Sequence, residues 1–363
     1  MKILVINSGS SSIKYKLFSV NGGGQSQELM IKKGAIEHIG EEGSTCPDHY
    51  SGLKKILSQI DQVDVVGHRV VHGGEKFKQP VCIDAAVIRK IKQCCDLAPL
   101  HNPANLTGIL ACKKLMPDIP QIAVFDTAFH QSIPSHVYTY GLPYRYYQKY
   151  GIRKYGFHGT SHDYVSQEAA VLLKKKLSQI KLITCHLGNG CSVAAIDQGK
   201  SVDTSMGFTP LEGLVMGTRC GDIDPALVTY LMRKEKLDYG QIEAILNKES
   251  GLKGISGISN DMRLLEEKVA TGNIRAKLAI DVFVYRIKKY IGAYAAVMGG
   301  CDAIVFTAGI GENQEKVRRR ICDGLCGYFR KKPKLLVIST NEELMIARQA
   351  YRVIKINKVV CEN

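Results

Sequence analysis

Apolar and polar positions alternate from the first residues of the chain. In LVINSGSSSIKYKLF, residues 4–18, an apolar run enters Asn7-Ser8-Gly9-Ser10-Ser11-Ser12, after which Ile13, Tyr15 and Leu17 alternate with polar or basic residues. A period of two is strand periodicity, so the stretch predicts a β-hairpin with a small-residue tip. A Walker loop is excluded, because that motif needs a second glycine followed by Lys and Ser/Thr and must open a helix. The tip is either an ordinary polar turn or a phosphate grip made of hydroxyls, backbone N–H groups and Lys14.

The same pattern returns half a chain later. KLITCHLGNGCSVAAIDQGK, residues 181–200, again reads as apolar strand, small-residue loop with Asn and Gly, and alternating strand. Two hairpins of one type predict a duplicated α/β domain. Further apolar strands are expected at 63–67, 122–125 and 303–307, each running into a loop rich in Gly, His, Asp or Asn, where α/β proteins collect ligand groups. Helical patterns cover 88–97, 162–176 and 280–297. Residues 142–155, with Pro143 and a run of tyrosines, read as the join between halves. Near the end a strand is expected at 335–339, and Thr340-Asn341-Glu342 can cap a helix over 343–350.

Composition narrows the class. With 363 residues, 45% apolar and 23% charged, the chain has room for two cores. No apolar run approaches the roughly 20 residues that span a bilayer, and the N-terminus lacks the apolar core and cleavage site of a signal peptide. Twelve cysteines include no CxxC pair, so reduced thiols in a cytoplasmic protein are expected. The net charge of +15 is scattered in short clusters, Lys174-Lys175-Lys176, Arg318-Arg319-Arg320 and Arg330-Lys331-Lys332. None is interleaved with aromatics, so these read as solvated faces and neither nucleic acid nor membrane is expected as a partner.

Five segments carry candidate chemistry. HRVVHGGE (68–75) and HGTSH (158–162) contain HxxxH, but the adjacent glycines argue against a zinc helix. Arg69, at a strand end, presents a planar fork suited to carboxylate or phosphate. Asp126 is a carboxylate directly after an apolar strand, a costly place unless it binds a cation or a partner. GTRCGDIDP (217–225) sets Arg219 and two acids in a glycine-flanked loop, and FTAGIGEN (306–313) is a strand-to-helix turn able to bring backbone N–H groups to an anion. Together they supply two arginines, several acids and three small-residue loops, the inventory of metal-assisted phosphoryl transfer.

With VINSGSSSIKY, GHRVVHGGEKF, LAPLHNPAN, AVFDTAFHQSIP, YGFHGTSH, HLGNGCSVAAI, DTSMGFTPLEGLVMGTRCGDIDP, ESGLKGISG, FTAGIGEN and STNEEL in view, the chain resembles the acetate/propionate/butyrate kinase family of the sugar kinase, Hsp70 and actin superfamily over nearly its whole length. The resemblance implies a duplicated actin-like, ribonuclease H-like α/β fold with a βββαβαβα core in each half and a nucleotide cleft that closes on its ligand. It implies an N-terminal domain over 1–150 joined by the C-terminal helix 343–360, and a C-terminal domain over 151–342 that binds nucleotide and dimerises. The implied reaction transfers a phosphoryl group from ATP to acetate, reversibly and with Mg²⁺ (Mn²⁺ as a substitute), in a homodimer.

Residue by residue, the resemblance implies that Arg69 and Arg219 bind acetate and the transferring phosphoryl group, with His158 hydrogen-bonding to it and Asp126 organising Arg219 or the metal site. Asn7 and Glu342 would hold the metal ion. Ser10, Ser12 and Lys14 would form the first phosphate loop, and His186, Leu187, Gly188, Asn189 and Gly190 the second. Asp261, Met262 and Arg263, with Gly309, Ile310, Gly311, Glu312 and Asn313, would meet the ADP or ATP. Val71, Leu100, Phe157 and Pro210 would surround the acyl methyl, and branched Val71 favours acetate over propionate. Three departures stand out: Ala308 replaces the usual first glycine of GGIGEN, the stretch from 314 to 339 is short and very basic, and Cys191 and Cys220 occupy positions more often Gly or Ser. The last suggests sensitivity to thiol oxidation.

Overall fold

The computed structural model describes residues 1–21, 27–99, 101–329 and 331–361. The chain divides into two compact units, Met1–Gln131 with Asn341–Asn363, and Ser132–Thr340.

The first unit is built on a six-stranded sheet of β1 (Lys2–Ser8), β2 (Ile13–Asn21), β3 (Gln27–Ile36), β4 (Val65–Val70), β5 (Val81–Cys82) and β6 (Gln121–Phe125), in the order β3-β2-β1-β4-β6-β5. β1 and β2 are antiparallel, Ser8 facing Ile13, whereas β4 runs parallel to both β1 and β6. Alternation along β1 feeds two cores, because successive side chains leave a strand on opposite faces. Leu4 and Ile6 pack with Leu53, Ile56 and Cys112 of the helices His49–Leu57 and Asn102–Leu115. Ile3 and Val5 meet Ile346, Ala347 and Ala350 of the helix Glu342–Cys361. That helix can lie close because β4 has a glycine beneath it: a Cβ on Gly67 would stand 2.9 Å from Ile346 Cγ2. Its start is capped as the sequence suggested, Leu344 N donating to Asn341 Oδ1 at 3.2 Å.

The second unit repeats the plan. β7 (Lys181–Leu187), β8 (Cys191–Asp197), β9 (Lys200–Thr204), β10 (Ala303–Thr307) and β11 (Lys334–Val337) are ordered β11-β10-β7-β8-β9. The first three form an antiparallel meander and the last two add parallel strands. Stripped of β5, the first sheet has the same order and the same strand directions. The expected α/β class and the duplication read from two loops are therefore present in the topology.

Element boundaries differ in instructive places. β4 continues three residues past Gly67, so Arg69 is a strand residue held by sheet pairing to Val124 of β6. The helix expected from 280 starts at Ile274, because Asn273 caps it by accepting from Ala276 N at 2.9 Å. Within 142–155 lies a short helix, Arg145–Tyr150, ended by left-handed Gly151. β11 is a four-residue edge strand with Leu335 and Val337 each 48% exposed, beside exposed Lys331, Lys332 and Lys334. Among the described residues no helix is long and apolar enough to cross a membrane.

Candidate active site

In the first unit the parallel strands deliver charge to one end of the sheet. Arg69 points its guanidinium at Asp126, the residue after β6: Nε and Nη2 both donate to Oδ2, at 3.0 and 2.6 Å. Asp126 is 1% exposed, and a buried carboxylate is tolerable only with such a partner. Glu342, at the start of the last helix, lies 3.8 Å from Arg69 Nε. Burial opposes the charge on Arg69, but the facing Asp126 and then Glu342 outweigh it and raise its pKa. Burial drives the Glu342 carboxyl up to about 7, Arg69 and Lys16 pulling it down while Asp126 and Glu343 push it up. Lys16 is itself tied to Glu343 at 2.8 Å.

The loop between β1 and β2 is a tight turn in which Gly9 N donates to Ser12 O at 2.8 Å, and His49 Nε2 bonds Gly9 O at 2.7 Å. Ser10 and Lys14 are exposed and Ser12 half-buried, with Asn7 half-buried at the end of β1. Val71, 7% exposed, follows Arg69 by two. Two asparagines that the sequence reading did not single out fix this backbone. Val71 N donates to Asn105 Oδ1 at 3.0 Å, while Asn105 Nδ2 donates to Ser8 O at 2.8 Å. His72 N and O are both bonded by the Asn102 amide, each at 2.9 Å. Their signal was the i,i+3 pair of Asn in HNPAN at a helix start, which places both on one face. Leu100 lies outside the described residues.

In the second unit an arginine stands without an acid. Arg219 is half-buried, and its Nη1 reaches only Pro210 O at 3.3 Å and Met216 Sδ at 3.9 Å. No carboxylate among the described residues pairs with it, and burial lowers its pKa. A Cβ on Gly190 would stand 3.4 Å from Arg219 Nη1 and 3.5 Å from His158 Nε2. The absent side chain thus leaves a spot toward which both donors converge. His158 itself sits at φ 56, just before the helix Gly159–Leu173, and stacks on His186 at 4.0 Å between ring centroids. Phe157 is 3% exposed and Pro210 half-buried.

The loop between β7 and β8 is strapped from outside: Gly217 N donates to Asn189 O at 3.0 Å and Asn260 Nδ2 to Asn189 Oδ1 at 2.8 Å. Gly188 N closes the turn on Gly190 O at 3.1 Å. Leu187 is fully buried and His186 is 8% exposed, so Leu187 can offer a ligand only its backbone. Met262 is likewise 2% exposed and serves the core. Asp261 and Arg263 pair with each other at 2.7 Å on the surface, at the start of the helix Met262–Ala270.

At the turn after β10, the Glu312 carboxylate accepts from Ala308 N at 2.9 Å and Thr340 N at 3.2 Å. It fastens FTAGIGEN to Thr340, leaving exposed Gly309 and half-buried Ile310 at the surface. Gly311 is buried under the turn, and the Asn313 amide donates to Gly309 O at 2.8 Å. Ala308 is in the left-handed region at φ 63, where a Cβ is strained and glycine is not.

Two further expectations meet the structure. Cys191 is fully buried and burial pushes its thiol up to about 12, the Gly188 backbone contact and then Arg219 opposing it only in part. A thiol that stays protonated and has no access to solvent is not the redox-sensitive group that was expected. Cys220 is half-buried and also raised by burial. Among the described residues no group of three or more His, Cys, Asp and Glu side chains could hold a metal ion.

The family model described as the Acetokinase family matches residues 2–328. The acetate kinase of Halothermothrix orenii is 52% identical over 98% of this chain and 100% of its own length. That alignment spans 403 positions, more than the 363 residues here, so the relative has residues without a counterpart in this chain. Among solved structures, Porphyromonas gingivalis acetate kinase superposes with a TM-score of 0.91 at 43% identity, covering 97% of this chain and 99% of that one. A propionate kinase from Francisella tularensis follows at 0.86 and 41% identity, covering 97% and 99%. The chain belongs to the acetokinase family.

Proposed function

We propose that the protein is an acetate kinase, transferring the γ-phosphoryl group of ATP to a carboxylate oxygen of acetate and, in reverse, from acetyl phosphate to ADP. The observation that carries this reading is the unpaired, half-buried Arg219, whose Nη1 and His158 Nε2 converge at Gly190. A cation removed from water without a carboxylate is costly, and an oxyanion arriving at that spot would give Arg219 the negative partner it lacks.

The chemistry requires little from the protein beyond placement. Acetate is already an anion near neutral pH, because a carboxyl group ionises near pH 4, so no general base is needed to activate it. Its oxygen attacks phosphorus as the bond to the ADP oxygen breaks, and charge spreads over the three equatorial oxygens. N–H donors fixed beforehand stabilise that charge. In this reading Arg219 and His158 supply them, Arg69 orients the carboxylate, and Asp126 holds the plane of Arg69 by accepting from two of its nitrogens. Val71 crowds the acyl methyl together with Phe157 and Pro210. Ser10, Ser12, Lys14 and the Gly188-Asn189-Gly190 turn offer donors to the phosphates, and Gly309 with Ile310 an apolar surface for the nucleoside.

The donors suit a divalent cation of the Mg²⁺ type. Such an ion keeps several waters and takes one or two protein carboxylates plus substrate phosphates, so the amide of Asn7 and the carboxylate of Glu342 suffice without a three-residue cluster. The crowding of Glu342 by Asp126 and Glu343, which raises its pKa, is relieved by added positive charge. Bound there, the ion would neutralise phosphate oxygens. The exposed tyrosines of the second unit, Tyr239 at 82% and Tyr144 at 58%, support a homodimer formed through that unit, and the free cysteines suit the reducing cytoplasm. A second reading, propionate as substrate, is favoured by the likeness to the Francisella enzyme.

The test is a coupled assay of MgATP with acetate, propionate and butyrate in parallel. Acetate is expected to give the highest kcat/KM, with propionate slower by about ten- to a hundredfold, as one methylene discriminates by about 1–3 kcal/mol. Turnover of none of the three would refute the reading.

A further inference from the structure

The HxxxH spacing at 158–162, unsuited to zinc, puts two imidazoles around one hydroxyl. Ser192 Oγ, on β8, lies 2.9 Å from His158 Nδ1 and 2.8 Å from His162 Nε2. The other nitrogen of His162, Nδ1, lies 2.7 Å from Thr184 Oγ1 on β7. His162, Thr184 and Ser192 are all fully buried, so within this chain of three hydrogen bonds only half-buried His158 meets the surface. A serine hydroxyl has one proton, and a neutral imidazole carries one N–H and one lone pair. Accepting from both rings would leave the buried Ser192 O–H without an acceptor, so Ser192 donates to one histidine and accepts from the other, which leaves two self-consistent arrangements running in opposite directions.

Only one of them equips His158 to hold a phosphoryl group. Phosphoryl oxygens accept, so His158 Nε2, the atom near Arg219 Nη1 and Gly190, must carry the proton. Neutral His158 then accepts at Nδ1 from Ser192 Oγ–H. Ser192 in turn accepts from His162 Nε2–H, and His162 accepts at Nδ1 from Thr184 Oγ1–H. We propose that Thr184, His162 and Ser192 are positioning residues forming a one-way relay that fixes the tautomer of His158. The inference rests on the kinase reading for what His158 does, but the direction of the relay is a property of the resting protein.

That separation decides the experiment. In wild-type protein labelled with ¹⁵N-histidine, long-range ¹H–¹⁵N spectra distinguish the Nδ1–H, Nε2–H and doubly protonated rings. The relay requires Nε2–H on both His158 and His162. Finding His162 protonated on Nδ1, as a reversed chain or a charged His158 would demand, overturns it. Thr184→Val removes the hydroxyl at nearly constant volume and should lower kcat by about tenfold or more, since a lost transition-state donor costs up to 10²–10³. KM for acetate and for MgATP should stay within about twofold, and Thr184→Ser should restore kcat. A Thr184→Val enzyme with unaltered kcat and unaltered ring assignments refutes the relay. Wild-type turnover of acetate is read separately, so failure of the kinase reading and failure of the relay are told apart.

Discussion

The two sheets share strand order and direction but hold charge in opposite ways. At the end of the first, Arg69 is closed on Asp126 within hydrogen-bonding distance and has Glu342 beside it. In the second, Arg219 touches a carbonyl and a thioether, and the histidines next to it are committed to hydroxyls. The hairpin loops differ in the same sense. The first is a serine turn with exposed Ser10 and Lys14, whereas the second is glycine-rich and strapped down by Gly217 and Asn260. One topology thus supports a charge-compensated site and an anion-deficient one. Topology sets where side chains converge, and the residues at the strand ends decide what converges.

The sharpest way to break this comparison is to delete each arginine. Arg69→Ala and Arg219→Ala should both lower kcat on the order of a thousandfold, because each removes a charged donor. Their stabilities should part. Arg69→Ala strips buried Asp126 of the guanidinium that donates to it twice and should cost about 3–5 kcal/mol in denaturant unfolding, while Arg219→Ala abandons no carboxylate and should cost under about 1 kcal/mol. Equal losses would mean that the two sites are not opposites.

Acid should separate the units next. Burial lowers the pKa of His68 to about 4, the Gln121 contact opposing it only in part, and burial does the same to His72. Both belong to the first unit. A histidine whose folded pKa lies below its unfolded value near 6.5 gives its full contribution above pH 6.5, and loses it as pH falls toward 4. The loss is on the order of 3 kcal/mol for His68. Hydrogen exchange between pH 6.5 and 4 should therefore show first-unit amides opening before second-unit amides, and His68→Gln should flatten the trend.

A smaller effect is expected at the turn after β10. Ala308→Gly relieves a left-handed alanine, and after the entropy gained by the unfolded chain it should stabilise the second unit by about 0.5–1 kcal/mol. An unchanged or lower melting temperature would show that the turn is not strained. The smallest effect concerns thiols: exposed Cys82 should titrate at once with a disulfide reagent and buried Cys191 only after unfolding, with activity retained.

Much of this was legible in the sequence because it is local. The hairpin at 4–18, the second at 181–200 and the apolar strand 303–307 follow from period-two alternation and small-residue loops. What escaped depends on distant partners. The i,i+3 spacing puts Asn102 and Asn105 on one face, but the backbone of Val71, His72 and Ser8 that their amides lock lies far away in sequence. Glu312, read as a nucleotide contact, spends its carboxylate on Ala308 and on Thr340, 28 residues away. Cys191, read as reactive, is fully buried at the start of β8, paired with Leu187 of β7. The HxxxH spacing was visible, but its meaning required Ser192 and Thr184, which β8 and β7 bring to it.

β11 has a consequence for handling the protein in solution. An edge strand offers unpaired backbone groups to any neighbour, and lysines are a common guard. Here the guard for Leu335 and Val337 is a run of like charge that works only at long enough range. The screening length shrinks from about 10 Å at 0.1 M salt to about 3 Å at 1 M. Colloidal stability should therefore fall as ionic strength rises, and concentrated stocks keep best in dilute buffer.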